Sequence, residues 1–280
     1  MSFSSWPISL YGLLCGLVLH YENALFPDKF DPILYRLDGA LGLSSAAIAA
    51  TLRAGRPGLL LDAVDRSLLL AMALWYGMTL ERGHSPSILR AYLAEMLVGP
   101  VLYGLLLACG PIYAFATYPA QLPHPAMELL RLSGDPNAVP SLHMSTAFLL
   151  ILFSPTLPCR VLSMVFAALT ALATLATGEH YIIDLIIGLP FGLFAASAAH
   201  RRTAKAAIYL GIVLVWLMAI RSAPNLLVEH PALLRVAVGA VLTLASIELT
   251  NSWRAFRQAG DPTSNRLVAR VVPLNAAVDH

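Results

Sequence analysis

Residues 160–199 read RVLSMVFAALTALATLATGEHYIIDLIIGLPFGLFAASAA, two apolar runs joined by the short polar turn Thr177-Gly178-Glu179-His180. Each run is almost free of charged residues. A helix of about 20 apolar residues is long enough to cross the roughly 30 Å hydrocarbon core of a bilayer. The stretch therefore predicts a hairpin of two membrane-spanning helices.

The rest of the chain has the same character. Of its 280 residues, 58% are hydrophobic and 12% are charged, with a mean hydropathy of +0.71, whereas about a quarter of the residues in a soluble domain are charged. We therefore expect an all-α fold, a polytopic membrane helix bundle. Its membrane helices are predicted near residues 8–20, 60–80, 88–117, 142–157, 160–177, 181–199, 205–220 and 232–250, with a weaker candidate near 39–52.

The chain shows no long polar linker and no fixed-period repeat, which indicates one transmembrane helical domain over residues 1–250. The segment 251–280 carries several arginines and is predicted to be a solvated polar tail. The net charge of +2 comes from Lys and Arg scattered through short loops. We therefore expect no nucleic-acid partner.

The loop charges orient the predicted bundle, because Lys and Arg concentrate in the cytoplasmic loops of membrane proteins. Alternation of the helices places one group of cations on a single side: Arg82, Arg90, Arg160, Arg201, Arg202 and Lys205. The segment 118–140 and the turn 177–179 are then expected on the non-cytoplasmic side.

The sequence Pro140-Ser141-Leu142-His143 is the first place where chemistry is expected. It lies where a loop rich in Pro, Gly and Asn enters an apolar run. A helix N-terminus offers unpaired backbone N–H groups and the positive end of the helix dipole, and both attract a phosphate. Ser141 can cap this helix or donate a hydrogen bond to an oxyanion.

The second place is Gly178-Glu179-His180-Tyr181-Ile182-Ile183-Asp184, at the head of the next apolar helix. His180 and Asp184 are four residues apart, so they share one helical face. A carboxylate that accepts from one ring nitrogen fixes the tautomer and leaves the other nitrogen free to attack or to take a proton. Ionisable groups at membrane helix ends are costly, so His143, His180 and Asp184 predict a functional site.

These two motifs resemble those of the type 2 phosphatidic acid phosphatase (PAP2) superfamily. Its second motif is P-S-G-H and its third is S-R, five residues, H, three residues, D. The resemblance covers residues 88–200 and implies a PAP2-like six-helix core with extra flanking helices.

The family's phosphate-binding cations do not match. The Ser-Arg pair of the third motif would fall at Ala173-Thr174, and no Lys, six residues, Arg-Pro motif precedes Pro140. With Leu142 in place of the usual Gly, the chain is similar to the branch that holds inositol phosphorylceramide synthase. Arg131 is the only Lys or Arg between residues 118 and 140. It is the candidate to take over the phosphate binding, and the alternative is an ordinary solvated loop arginine.

The resemblance implies an integral membrane lipid phosphatase or phosphotransferase that needs no metal and no cofactor. It implies that His180 attacks the phosphorus to form a phosphohistidine, that Asp184 orients its ring, and that His143 protonates the leaving oxygen. The substrate is expected to be a membrane lipid phosphate ester, and the residues expected to bind it are Ser141, Leu142, Gly178 and Arg131.

Other interpretations stay open on the sequence. The scarcity of cations favours transfer of a phosphodiester head group, which carries less charge than a monoester, while entry of water favours hydrolysis. The three predicted catalytic side chains could also form a two-histidine, one-carboxylate metal site, and a transporter or scaffold would use ionisable residues in a membrane as well. Glu95 lies nearer the predicted cytoplasmic end and is placed outside the site.

Overall fold

The computed structural model describes residues 17–54, 57–81, 87–119, 128–132 and 137–259. Most of the predicted helix 8–20, Arg82 and the tail beyond residue 259 lie outside these ranges. Two short strands, β1 (Asp28–Lys29) and β2 (Leu130–Arg131), pair antiparallel. The helices of the described residues are α1 (17–25), α2 (Asp31–Leu41), α3 (Ser45–Arg53), α4 (Pro57–Arg66), α5 (Leu68–Glu81), α6 (Ser87–Tyr103), α7 (Pro111–Ala114), α8 (Leu142–Leu152), α9 (Leu157–Thr177), α10 (Ile182–Ala199), α11 (Thr203–Ser222), α12 (Pro224–Glu229) and α13 (Pro231–Ala259).

The all-α fold class is confirmed. Among the described residues, α9, α10, α11 and the part of α13 up to Arg254 are long and apolar enough to cross a membrane. They coincide with the predicted helices 160–177, 181–199, 205–220 and 232–250. Helix α13 continues to Ala259, so the first residues of the predicted tail are helical.

Several other predicted helices are shorter or divided. The predicted helix 60–80 is split at Ser67 into α4 and α5, and the weak candidate 39–52 includes the break between α2 and α3. The predicted helix 88–117 ends at Tyr103, and only the single turn α7 follows. Beyond Tyr103 the backbone binds a distant segment instead of continuing the helix: the carbonyl oxygen of Leu107 accepts from Phe30 N–H, and the N–H groups of Cys109 and Gly110 donate to Asp31. Gly110 itself has a φ of +97°, which is unfavourable for residues with a Cβ. A Cβ there would lie 2.2 Å from the carbonyl oxygen of Glu179, so apolar composition alone overestimated this helix.

Helix α10 is the centre of the bundle. In its most apolar window 78% of the residues are buried, against 33% in α11 and 22% in α13, so α11 and α13 expose much of their apolar surface. Helix α10 packs against α6, α8, α11 and α13. Lipid is the solvent that suits the apolar side chains exposed on the outer helices.

Helices α8 and α10 approach each other closely, and this contact positions the candidate site. A Cβ on Gly188 of α10 would lie 2.8 Å from the carbonyl oxygen of Ser141, and one on Gly192 would lie 3.0 Å from that of Ser145. Small residues permit such backbone contact between apolar helices. The N-terminal turns of the two helices, which carry His143 and Asp184, are therefore neighbours.

Candidate active site

The three predicted catalytic side chains form one hydrogen-bonded chain. His180 Nδ1 lies 3.1 Å from Asp184 Oδ2 and 3.1 Å from the carbonyl oxygen of Ala138. On the other side of the ring, His180 Nε2 lies 3.1 Å from His143 Nδ1. The order is thus Asp184, His180, His143.

The hydrogen-bond partners assign the tautomers of both rings. His180 Nδ1 faces two acceptor oxygens, so it carries the proton and donates it. In the neutral ring Nε2 then holds a lone pair, and His143 Nδ1–H donates to it. The remaining nitrogen, His143 Nε2, lies 3.8 Å from Asp65 Oδ1, which is beyond hydrogen-bond distance.

His180 is 2% exposed and Asp184 is fully buried. Burial lowers the pKa of His180 to about 4, because the charged imidazolium loses its hydration in the protein interior. His180 is therefore neutral at physiological pH, with Nε2 available as a base or a nucleophile.

Two carboxylates of α2 hold the backbone around this histidine. Asp38 accepts hydrogen bonds from the backbone N–H groups of Ile182 and Ile183 at 2.9 and 3.0 Å, which caps the N-terminus of α10 from another helix. Asp31 accepts from the hydroxyl of Tyr181 at 2.9 Å and from the backbone N–H of Gly110 at 2.9 Å. These contacts fix the turn that carries His180.

A cleft of about 410 Å³ opens beside the histidine pair, and we call it the His143 cleft. Its described lining residues are Asp65, Arg66, Leu68, Leu69, Tyr92, Met96, Leu142, His143, Thr146 and Glu179. His143 is therefore the catalytic candidate in direct contact with this cleft, and His180 lies behind it. The lining combines apolar side chains with charges of both signs, which suits a lipid with a polar head group.

The residues predicted to bind substrate occupy different positions. Leu142 lines the cleft. Ser141 is fully buried, and its hydroxyl accepts from the backbone N–H of Met144 at 3.2 Å, so it caps α8. Gly178 ends α9 with a φ of +82°, and a Cβ there would lie 2.5 Å from the ring of Tyr118.

Arg131 lies on β2 with 83% of its side chain exposed, and its Nε is 3.4 Å from Asp28 Oδ1. Within the described residues, the structure gives it no contact with His143, His180 or Asp184. The cation that lines the His143 cleft is Arg66 of α4. Phosphate binding by Arg131 stays a prediction, and the structure offers Arg66 as a nearer candidate.

Sequence reasoning did not assign Asp65, Arg66 or Glu179 to the site. Glu179 could have been noticed from its place next to His180, whereas α4 comes to the cleft only through its packing on α9. Ligand atoms of Asp65, His143 and Glu179 lie within 4.8 Å of one another and could hold a metal ion. Among the described residues, the set considered from sequence, His143, His180 and Asp184, does not bring three ligand atoms together in this way.

Comparison with known proteins gives one match. The family model of the PAP2 superfamily matches residues 32–199. The match begins near the start of α2, well before the expected 88–200, and it includes Asp65, His143, His180 and Asp184. No curated protein and no solved structure matches the chain.

Proposed function

The chain belongs to the PAP2 superfamily, and on that premise we propose that it is an integral membrane enzyme that transfers a phosphate group from a lipid phosphate ester through a phosphohistidine on His180. The superfamily and the four apolar helices indicate a membrane protein with phosphatase-type activity. The observation that carries the finer proposal is the chain Asp184, His180, His143, in which His180 Nε2 holds a lone pair.

In the first step the substrate phosphate enters from the His143 cleft, and the ring of His143 turns away from His180 Nε2 to admit it. His180 Nε2 forms a bond to phosphorus, and the bond from phosphorus to the lipid oxygen breaks. His143, protonated on both ring nitrogens when the substrate is bound, gives one proton to the leaving oxygen. Asp184 stabilises the positive charge that His180 acquires.

In the second step a water molecule or an acceptor hydroxyl attacks the phosphorus. Neutral His143 takes the proton of the attacking oxygen, the N–P bond breaks, and His180 returns to its starting state. The carboxylates of Asp65 and Glu179 line the same cleft as His143. They attract the positive charge that His143 carries before the first step and regains in the second.

We place this reaction at the non-cytoplasmic face. Arg160 lies near the start of α9, and Arg201, Arg202 and Lys205 lie around the end of α10 and the start of α11. His180 lies in the turn at the opposite ends of α9 and α10. The positive-inside rule supports an orientation with the cations in the cytoplasm and the site outside.

The test compares His180→Ala and His143→Ala with His230→Ala, which removes an exposed histidine at the end of α12. Each protein is purified in detergent, and release or transfer of phosphate from a panel of lipid monoesters and diesters is measured. We expect the first two variants to lose nearly all turnover and His230→Ala to match the wild type. We also expect vanadate to inhibit the wild type. An active His180→Ala protein would contradict the mechanism.

A further inference from the structure

The charges of the His143 cleft are mixed. Among its described lining residues, Arg66 is the one Lys or Arg, and Asp65 and Glu179 are acidic. A phosphate placed beside His143 therefore meets two carboxylates and one guanidinium. Such surroundings repel a phosphomonoester dianion and suit a ligand that itself carries both signs.

Asp65 has one carboxylate oxygen in this cleft that no hydrogen-bond donor among the described residues meets, and His143 Nε2 lies 3.8 Å from it. The side chain of Asp65 is 13% exposed, and its Oδ1 atom is buried and accepts no hydrogen bond. The cleft places Leu68 and Leu69 beside it. A carboxylate oxygen removed from water in apolar surroundings is costly unless a cation or donor meets it. A positively charged ligand group that donates a hydrogen bond to Asp65 would therefore complete the cleft.

The distances agree with a short zwitterion. One oxygen each of Asp65 and Glu179 and a nitrogen of His143 lie within 4.8 Å of one another. In a head group with the order P–O–C–C–N, four bonds of about 1.5 Å place the nitrogen about 4 to 5 Å from the phosphorus in a bent chain. When the phosphorus lies beside His143 and His180, the amine of the same head group is therefore within reach of the carboxylates of Asp65 and Glu179.

We infer that the substrate is a zwitterionic phosphodiester lipid, with its amine bound by Asp65 and Glu179 and its phosphate by Arg66 and the histidine pair. This inference rests on the proposed function for its reaction, but it concerns the binding of the head group alone. It also accounts for the absence of the family's usual phosphate-binding cations, because a diester that carries its own positive charge needs less compensation.

Binding of water-soluble, short-chain lipids to the detergent-purified protein separates this inference from catalysis. The probes share their acyl chains and differ in head group: a phosphoethanolamine diester, a phosphoglycerol diester and a phosphomonoester. We expect the wild type to bind the phosphoethanolamine lipid at least about tenfold more tightly than the other two. Asp65→Asn and Glu179→Gln should each weaken its binding about tenfold or more and remove the preference. Asp62→Asn, an exposed acid on the same helix that does not line the cleft, is the matched control and should bind like the wild type.

Three results would overturn the inference: equal or tighter binding of an anionic lipid, a preference that survives both cleft substitutions, or binding that EDTA abolishes and Mn²⁺ restores. The last would show that the carboxylates hold a divalent cation. Turnover is recorded in parallel. Selective binding of the phosphoethanolamine lipid by a protein without turnover would support the inference and contradict the proposed function.

Discussion

Replacing Asp184 by Asn tests the hydrogen-bonded chain at its buried end. The substitution keeps the shape of the side chain and removes its charge. The Asn amide can turn its NH₂ group toward His180 Nδ1, which would move the ring proton to Nε2 and eliminate the nucleophilic lone pair. The carbonyl of Ala138, also 3.1 Å from Nδ1, still accepts the Nδ1 proton and opposes this change.

These contacts give the expected size of the effect. A hydrogen bond to a charged partner contributes about 1.5 to 3 kcal/mol, and stabilisation of the phosphohistidine cation adds roughly 1 kcal/mol. A total of about 2.5 to 4 kcal/mol in the transition state corresponds to a loss of roughly 70- to 900-fold in kcat/KM. Without the Ala138 carbonyl the loss would approach the value of about 10⁴ known for a wrong tautomer.

The assay is phosphate release or transfer by Asp184→Asn, by His180→Ala and by the wild type in detergent, with thermal unfolding as the check on folding. We expect measurable residual activity in Asp184→Asn and none above background in His180→Ala. Activity within threefold of the wild type would refute the role of Asp184. A loss as complete as in His180→Ala, with the fold intact, would refute the role of Ala138.

Three further predictions concern packing, pH and topology. Gly188→Ala should destabilise the protein by about 1 to 3 kcal/mol, because its Cβ would lie 2.8 Å from the carbonyl oxygen of Ser141. The matched Gly211→Ala has open space around its Cβ and should not destabilise it. Equal melting temperatures of the two variants would contradict the close contact. The pKa of His180 is lowered from 6.5 to about 4 by folding, so the unfolded chain binds more protons than the folded protein between these pH values. The free energy of unfolding should therefore fall as the pH decreases from about 6.5 to 4. An equal fall in His180→Gln would contradict this. A cysteine at the exposed position Tyr113 should react with an impermeant maleimide in intact cells, and a cysteine at Arg202 should react only after lysis. Labelling of the wild-type protein gives the background. The reverse pattern would reverse the proposed orientation of the protein in the membrane.

Local sequence patterns predicted those features that depend on neighbours along the chain. The hairpin of α9 and α10 follows from two apolar runs, and the contact between His180 and Asp184 follows from their spacing of four residues. The motif resemblance predicted that His143 joins them. The first two features need no knowledge of how distant segments pack, whereas the third depends on the packing of α8 on α10 and came from the resemblance alone.

Features that depend on packing were not predictable in this way. Asp38 caps α10 across 144 residues of sequence, and nothing in α2 distinguishes this carboxylate from a solvated one. Asp65 and Arg66 reach the cleft because α4 packs on α9. Arg131 was selected as the only Lys or Arg in its loop, but its position depends on the pairing of β2 with β1.

The central claim, a covalent intermediate on His180, is tested most directly by trapping it. A lipid substrate labelled with phosphorus-32 is mixed with the enzyme, the reaction is stopped with denaturant at alkaline pH, where phosphohistidine survives, and the labelled peptide is sequenced by mass spectrometry. The mechanism predicts label on His180, present in the wild type during turnover and absent from His180→Ala. Label on His143, or turnover with no labelled histidine at any time point, would contradict it.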